Sequence, residues 1–151
     1  MTTNTAESRP SVSPWILATG ACSVVTLIAS FMPWAHAGPY EVSGINNDGQ
    51  ITLFLSAVAV LMAIWGSGLT GIRNWPAVSL GIMVACMAII AAIGVADVSN
   101  VQDISIPGLD RLFDVGVSIG LWLILIAGIV GTITGLVAMV AWVRGRDQSP
   151  G

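Results

Sequence analysis

Four side chains suited to acid–base or metal chemistry, His36, Tyr40, Glu41 and Asp48, fall within one short stretch of this sequence. A single histidine among scattered carboxylates is a minimal metal-binding set, and Asn46-x-Asp48-Gly49 has the outline of part of a calcium loop. The outline fails at its ends, because a complete loop needs acids at its first and twelfth positions, where Gly44 and Leu55 stand. No serine, cysteine or second histidine lies close to His36 in the sequence, so the residue types for nucleophilic catalysis are not assembled there. The stretch reads as a solvated, turn-forming acidic loop, and no catalytic, cofactor-binding or metal residue is expected. Cys22 and Cys86 sit inside apolar runs, where a thiol behaves as a small buried hydrophobe, and their spacing matches neither a disulfide framework nor a zinc site. Thr19, Ser23, Thr26 and Ser30 recur at helical spacing. They would line a polar path in a channel, although hydroxyls in apolar helices more often bond their own backbone or a neighbouring helix.

The elements that carry these residues are apolar. Of 151 residues 55% are hydrophobic and 9% charged, against about 25% charged in soluble proteins, and the mean hydropathy is +0.87. The chain has no lysine, and its basic residues, Arg9, Arg73, Arg111, Arg144 and Arg146, form no patch for nucleic acid. Ser118 to Val143 carries no charge and stops at Arg144-Gly145-Arg146-Asp147. At about 1.5 Å of rise per residue it is longer than a hydrocarbon core of about 30 Å.

Taken in order, the sequence predicts a disordered cytoplasmic tail over residues 1–14 and spans over about 15–34, 50–69, 76–96 and 118–143. Outer loops cover 35–49 and 97–117, and a short cytoplasmic tail follows from 144 to 151. Together 15–143 form an all-α integral membrane domain, a four-transmembrane-helix antiparallel bundle. Asp48 or Gly49 is placed to cap the second helix, and Pro76 suits a first helical position. In the long outer connection Leu109, Leu112 and Phe113 share one face, so a turn or two of interfacial helix is expected there. Ala35-His36-Ala37 also fits a signal-peptidase site, which would remove residues 1–37. The apolar run before it is longer than a signal's, and retention as a first span is the favoured reading.

Two signals orient the chain. With four spans and both ends inside, Arg9, Arg73, Arg144 and Arg146 are cytoplasmic and only Arg111 is outside, as the positive-inside rule requires. The tryptophans agree: Trp15, Trp65, Trp75 and Trp142 fall near the inner boundary and Trp34 and Trp122 near the outer one, where indoles anchor at the headgroups. No Asp, Glu, Lys, Arg or His lies within a span, which argues against an ion path or a proton relay.

Small residues at helical spacing mark how the spans pack, since lipid supplies no hydrophobic drive and close backbone approach must hold helices together. The stripes are Gly120, Ala127, Gly131, Gly135 and Ala138 in the fourth span and Gly81, Ala85, Ala88, Ala92 and Ala96 in the third. The second carries Ser56, Ala59, Ala63 and Gly66. Gly128 gives the fourth span a second small face, available to another subunit.

Phe31-Met32-Pro33-Trp34 closing the first span, Asp48-Gly49 before the second and Gly120-Leu121-Trp122 opening the fourth resemble the small four-helix membrane proteins common in actinobacteria. The resemblance implies a fold and an envelope location and carries over no catalytic residue. The claudin-type four-helix family is a poorer match, because its paired outer-loop cysteines are lacking. The expected function is that of a non-catalytic accessory or structural subunit of the cytoplasmic membrane. Its partners would be the lipid bilayer and either a larger membrane complex or copies of itself, packed through the fourth helix. The alternative is a small channel or transporter with a Ser/Thr-lined path.

Overall fold

Among the described residues four helices account for most of the length, and a small sheet closes one end of them. The structure, a computed structural model, describes residues 13–37, 40–44, 48–68, 76–102 and 115–147. The expected N-terminal tail up to residue 12, the basic link with Arg73 and Trp75, the amphipathic segment around Leu109 to Phe113, and residues 148–151 lie outside the described residues.

Helix α1 runs Pro14–Ala29, α2 Gly49–Gly66, α3 Pro76–Gln102 and α4 Ile119–Asp147. The last three contain stretches long and apolar enough to cross a membrane, whereas α1 has 16 residues, about 24 Å of helix. Pro14 and Pro76 each open a helix, where a missing amide costs nothing. Several boundaries differ from those expected. The first helix stops at Ala29 because the next amides turn back tightly, Phe31 N–H to Ile28 O and Met32 N–H to Ala29 O, and Pro33 then offers no amide at all. The second ends at Gly66, with Gly68 at a positive φ of 73° directing the chain away. The third continues past Ala96 to Gln102, and the fourth runs through Arg144 to Asp147, since nothing in either sequence breaks a helix there.

The sequence predicts a turn-forming loop over 35–49, a loop with a turn or two of interfacial helix over 97–117, and no strand in either. Instead, β1 (Pro33–Ala37) and β2 (Tyr40–Ser43) form a hairpin, and β3 (Val115–Val117) adds to the other side of β1. The sheet has the order β2-β1-β3 with both pairings antiparallel, and a bulge interrupts the register between Pro33 and Ala35. The all-α expectation therefore holds for the long elements and is amended by this sheet. Asp48 occupies the N-cap of α2, but its side chain makes no capping bond; its carbonyl instead receives the amides of Ile51 and Thr52.

Each helix packs mainly on two others, in the cyclic order α1, α2, α3, α4 and back to α1. The buried cluster gathers Ala29, Trp34, Ala59, Cys86, Met87, Ile90, Leu121 and Ile124. Trp34, expected as an interfacial anchor, is only 5% exposed. Its indole lies over Gly44, where a methyl group would overlap the ring, and its Nε1–H donates to Ala29 O at 3.2 Å. Trp34 thus plugs the end of the bundle and gives the Ala29 carbonyl a second donor beside Met32 N–H.

Replacing Trp34 by alanine should lower stability by about 3–5 kcal/mol, the range for emptying a large aromatic site. Gly44→Ala should act in the same direction by displacing the ring. Unfolding by denaturant in a mild detergent, followed by far-UV circular dichroism, would read both.

Candidate functional site

The bundle interior is built on glycines of α4. A methyl added at Gly128 would sit 2.9 Å from the backbone nitrogen of Ala91, and one at Gly135 would sit 2.7 Å from Val84 Cγ2. At Gly131 it would collide with Met87 Cε and come within 3.2 Å of Cys22 Cβ, and at Gly120 it would meet Met32 and Pro33. Gly94 of α3 returns the arrangement, with 3.1 Å to Leu125 Cα. Gly94, Ala91, Met87 and Val84 thus descend α3 as Leu125, Gly128, Gly131 and Gly135 ascend α4, which makes the two helices antiparallel neighbours at backbone distance. Ala127 and Ala138 are buried as well. The second small face expected on α4 for another subunit is therefore occupied from within, because Gly128 is covered by Ala91.

The stripe of α2 also faces inward. Ser56 and Ala59 are fully buried, Gly66 abuts Ser79 of α3, and Ala63 approaches Gly20 of α1. The stripe of α3 does not. A methyl added at Gly81 would meet nothing within 4 Å, and Ala85, Ala88, Ala92 and Ala96 are exposed. The face that α3 buries is formed by Ser79, Leu80, Met83, Cys86, Met87 and Ile90, so bulk on α3 fills the space that glycine leaves on α4.

The hydroxyl row of α1 is fully enclosed: Thr19, Ser23, Thr26 and Ser30 are each 0% exposed. Each has a bond to its own helix, Thr19 to Trp15 O, Ser23 to Thr19 O, Thr26 to Ser23 O and Ser30 to Thr26 O, at 2.9 Å in every case. Three also reach a neighbour: Thr19 meets Thr134 Oγ1 at 3.0 Å, Ser30 meets Thr52 Oγ1 at 3.2 Å, and Ser23 donates to Met87 Sδ at 3.5 Å. Thr52 and Ser56 are buried and bonded in the same manner to Gly49 O and Thr52 O. The row is a packed polar seam joining α1 to α2, α3 and α4. Cys22 and Cys86 are free thiols, half-buried and buried respectively.

Trp15, Trp65, Trp122 and Trp142 are peripheral: Trp15 and Trp122 are each 43% exposed and Trp65 and Trp142 are half-buried, so each keeps part of its indole at the surface, unlike Trp34. Trp75 lies outside the described residues.

At the sheet end the fold collects polar groups that the sequence keeps apart. His36 Nδ1 lies 3.3 Å from Ser118 Oγ, 82 residues away, and its ring covers Gly116, where no side chain would fit. Glu41 faces His36 across the β1–β2 register. Ser118 N–H donates to Trp34 O, so the same serine ties α4's entry to β1 through both its backbone and its side chain. Asp97 of α3 holds one carboxylate oxygen, Oδ2, fully buried with no hydrogen-bond partner. Sequence alone offers no signal for Ser118 beside His36, because the pairing depends on β3. Asp97 lies one residue past the expected span, a position that gives no hint of burial. Among the described residues no group of three or more His, Cys, Asp or Glu side chains is arranged to hold a metal ion.

The chain matches no family model, no curated protein and no solved structure.

Two substitutions separate the role of glycine from that of the hydroxyls. Gly128→Leu should strongly destabilise the bundle by forcing α3 and α4 apart, a cost above the ~1–3 kcal/mol usual for overpacking. Thr134→Val, which removes one inter-helix hydroxyl contact, should cost about 0.6 kcal/mol. Thermal unfolding of the purified variants in detergent would show the ordering, and equal effects would contradict it.

Proposed function

We propose that this chain is a non-catalytic integral protein of the cytoplasmic membrane, crossing it four times with both termini inside, and that it serves as an accessory or structural subunit packing laterally in a complex or with its own copies. The apolar outer surface supports residence in lipid. Leu17, Phe31, Phe54, Leu61, Ile126 and Ile133 are each more than half exposed around the bundle, a distribution unsuited to a water-soluble monomer.

A fourth crossing by the short α1 is supported by what completes it. Ser30 lies beside Thr52 in the first turn of α2, and Met32 and Pro33 lie beside Gly120 in the first turn of α4. The segment after Ala29 therefore continues to the depth at which its neighbours begin. Irregular backbone at membrane depth is tolerated where protein surrounds it and pairs its polar groups. Here Met32 O accepts from Gly44 N–H, Trp34 O from Ser118 N–H and Ala29 O from both Met32 N–H and the Trp34 indole.

The observation that carries lateral packing is the outward turn of α3's small residues. Every glycine of α4 from Gly120 to Gly135 abuts this chain's own side chains or backbone, whereas Ala85, Ala88 and Ala92 present a shallow, exposed lane. Small residues at this spacing admit a foreign helix at close range. The interface thereby moves from α4, where the sequence suggests it, to α3. A channel through the hydroxyl row has less support, since the row is enclosed and bonded to its own helix.

Leucine at Ala85, Ala88 and Ala92 should leave the melting temperature of the monomer nearly unchanged while lowering self-crosslinking or recovery of a co-purifying membrane protein several-fold. Unchanged association, measured by crosslinking in native membranes, would remove α3 from the interface. For orientation, a single cysteine introduced at position 73 should resist an impermeant thiol reagent applied to intact cells and react once the membrane is opened.

A further inference from the structure

We propose that the outward face of α4, at its C-terminal end, binds one anionic phospholipid, with an acyl chain along Leu136, Val137, Val140 and Ala141 and the phosphate against Arg144. The site rests on the reading that this chain resides in a bilayer and is independent of the lateral packing assigned to α3.

Leu136, Val137, Val140, Ala141 and Arg144 line a groove of about 370 Å³, and all five are exposed. Their spacing places them on one side of the helix, away from Gly131, Gly135 and Ala138, which face the interior. From the first to the last of them α4 rises about 12 Å, so the guanidinium stands at one end of an apolar strip. The uncharged run ends at Val143 and the membrane-crossing length of α4 at Gly145. Arg144 is therefore at headgroup depth, and the other four are at the depth of acyl chains.

The bundle leaves this turn uncovered. Helices α1 and α4 are antiparallel, with Cys22 beside Gly131 and Thr19 beside Gly135. Six residues before Thr19 is Ser13, where the described part of the chain begins, and six after Gly135 is Ala141. On the α3 side Val84 lies beside Gly135, so Pro76, which opens α3, is level with Val143. Arg144 thus projects beyond both neighbours. Among the described residues no acid of another element stands at this level: α1 and α2 carry none along their lengths, and Asp97 is near the far end of α3. Asp147 belongs to α4 itself.

Charge and shape together select the occupant. A guanidinium recognises phosphate through paired N–H donors, but a free phosphate ion would leave the apolar strip unused. An apolar partner helix would cover the strip and leave Arg144 without an anion. A phospholipid meets both demands with one molecule. A zwitterionic headgroup brings its own cation to the arginine, so a net-anionic one such as phosphatidylglycerol fits better.

The test uses the full chain in nanodiscs of mixed phosphatidylglycerol and phosphatidylcholine, released for native mass spectrometry to read which lipid stays bound. The wild type should retain phosphatidylglycerol in about fivefold preference, the advantage expected of one basic residue at an anionic surface. Arg144→Gln should bring the ratio near one while the melting temperature stays unchanged, because the side chain is exposed. Ala141→Phe keeps the arginine and fills the groove, and should lower the retained lipid of both kinds. Arg146→Gln should keep the preference. A wild type without preference, an Arg144→Gln variant that retains it, an Ala141→Phe variant that holds as much lipid as the wild type, or an equal loss in Arg146→Gln, the sign of diffuse surface charge, would each overturn the site. These results leave the α3 lane untouched, whereas a chain that does not enter nanodiscs at all would overturn the site and membrane residence together.

Discussion

The contact between α3 and α4 at backbone distance is the constraint from which the rest of the arrangement follows. Gly128 against Ala91 and Gly94 against Leu125 bring two main chains together where even a methyl group would meet backbone atoms. Dispersion is summed over many close atom pairs, so it is strongest where side chains do not hold helices apart. Once α4 offers glycine, α3 must supply volume, and Met83, Met87 and Ile90 do so from one face. That choice sends Ala85, Ala88 and Ala92 of α3 to the opposite face, while Ala91 and Gly94 stay against α4. The outward lane of Ala85, Ala88 and Ala92 is thus the geometric complement of the glycines on α4.

The polar seam on α1 solves a different problem in the same interior. Hydroxyls as small as serine allow close packing almost as alanine does, and each finds an acceptor one turn back on its own helix. Their second contacts, to Thr134, Thr52 and Met87, then link α1 to all three neighbours without placing any charge inside. The seam gives α1 a fixed rotation, which a purely aliphatic face would specify less sharply. At the sheet end, where regular helix stops early, the Trp34 indole and the amides of Gly44 and Ser118 take over the task of pairing the backbone.

Much of this is legible in the sequence, and the parts that are not have identifiable causes. Long uncharged runs mark all four helices, and the small residues spaced along α2 and α4 do face inward. The same spacing misleads on α3, because a stripe of alanines states that close approach is possible and not which neighbour uses it. The deciding fact is on the partner: only one of two facing helices needs to be small. The sheet is hidden for another reason. Pro33–Ala37 is short and lacks β-branched residues, and its strand character depends on pairing with Val115–Val117 across most of the chain. Trp34 reads as a boundary indole because pattern places aromatic residues by depth alone, and its burial depends on Gly44 folding back beneath it.

The pairing of β1 with β3 has a consequence for how the molecule is made. As the chain emerges from the ribosome, β1 acquires β2 almost at once, but its other edge waits through two further hydrophobic helices before β3 is synthesised. Until then Trp34 O lacks the amide of Ser118, and the space beside Met32 and Pro33 lacks α4. Docking of α4 and closure of the sheet are therefore a single event, so that β1, translated before β3 and α4, is among the last elements to reach its final environment. A nascent chain halted before residue 115 would retain an open strand edge, a template for pairing with another chain.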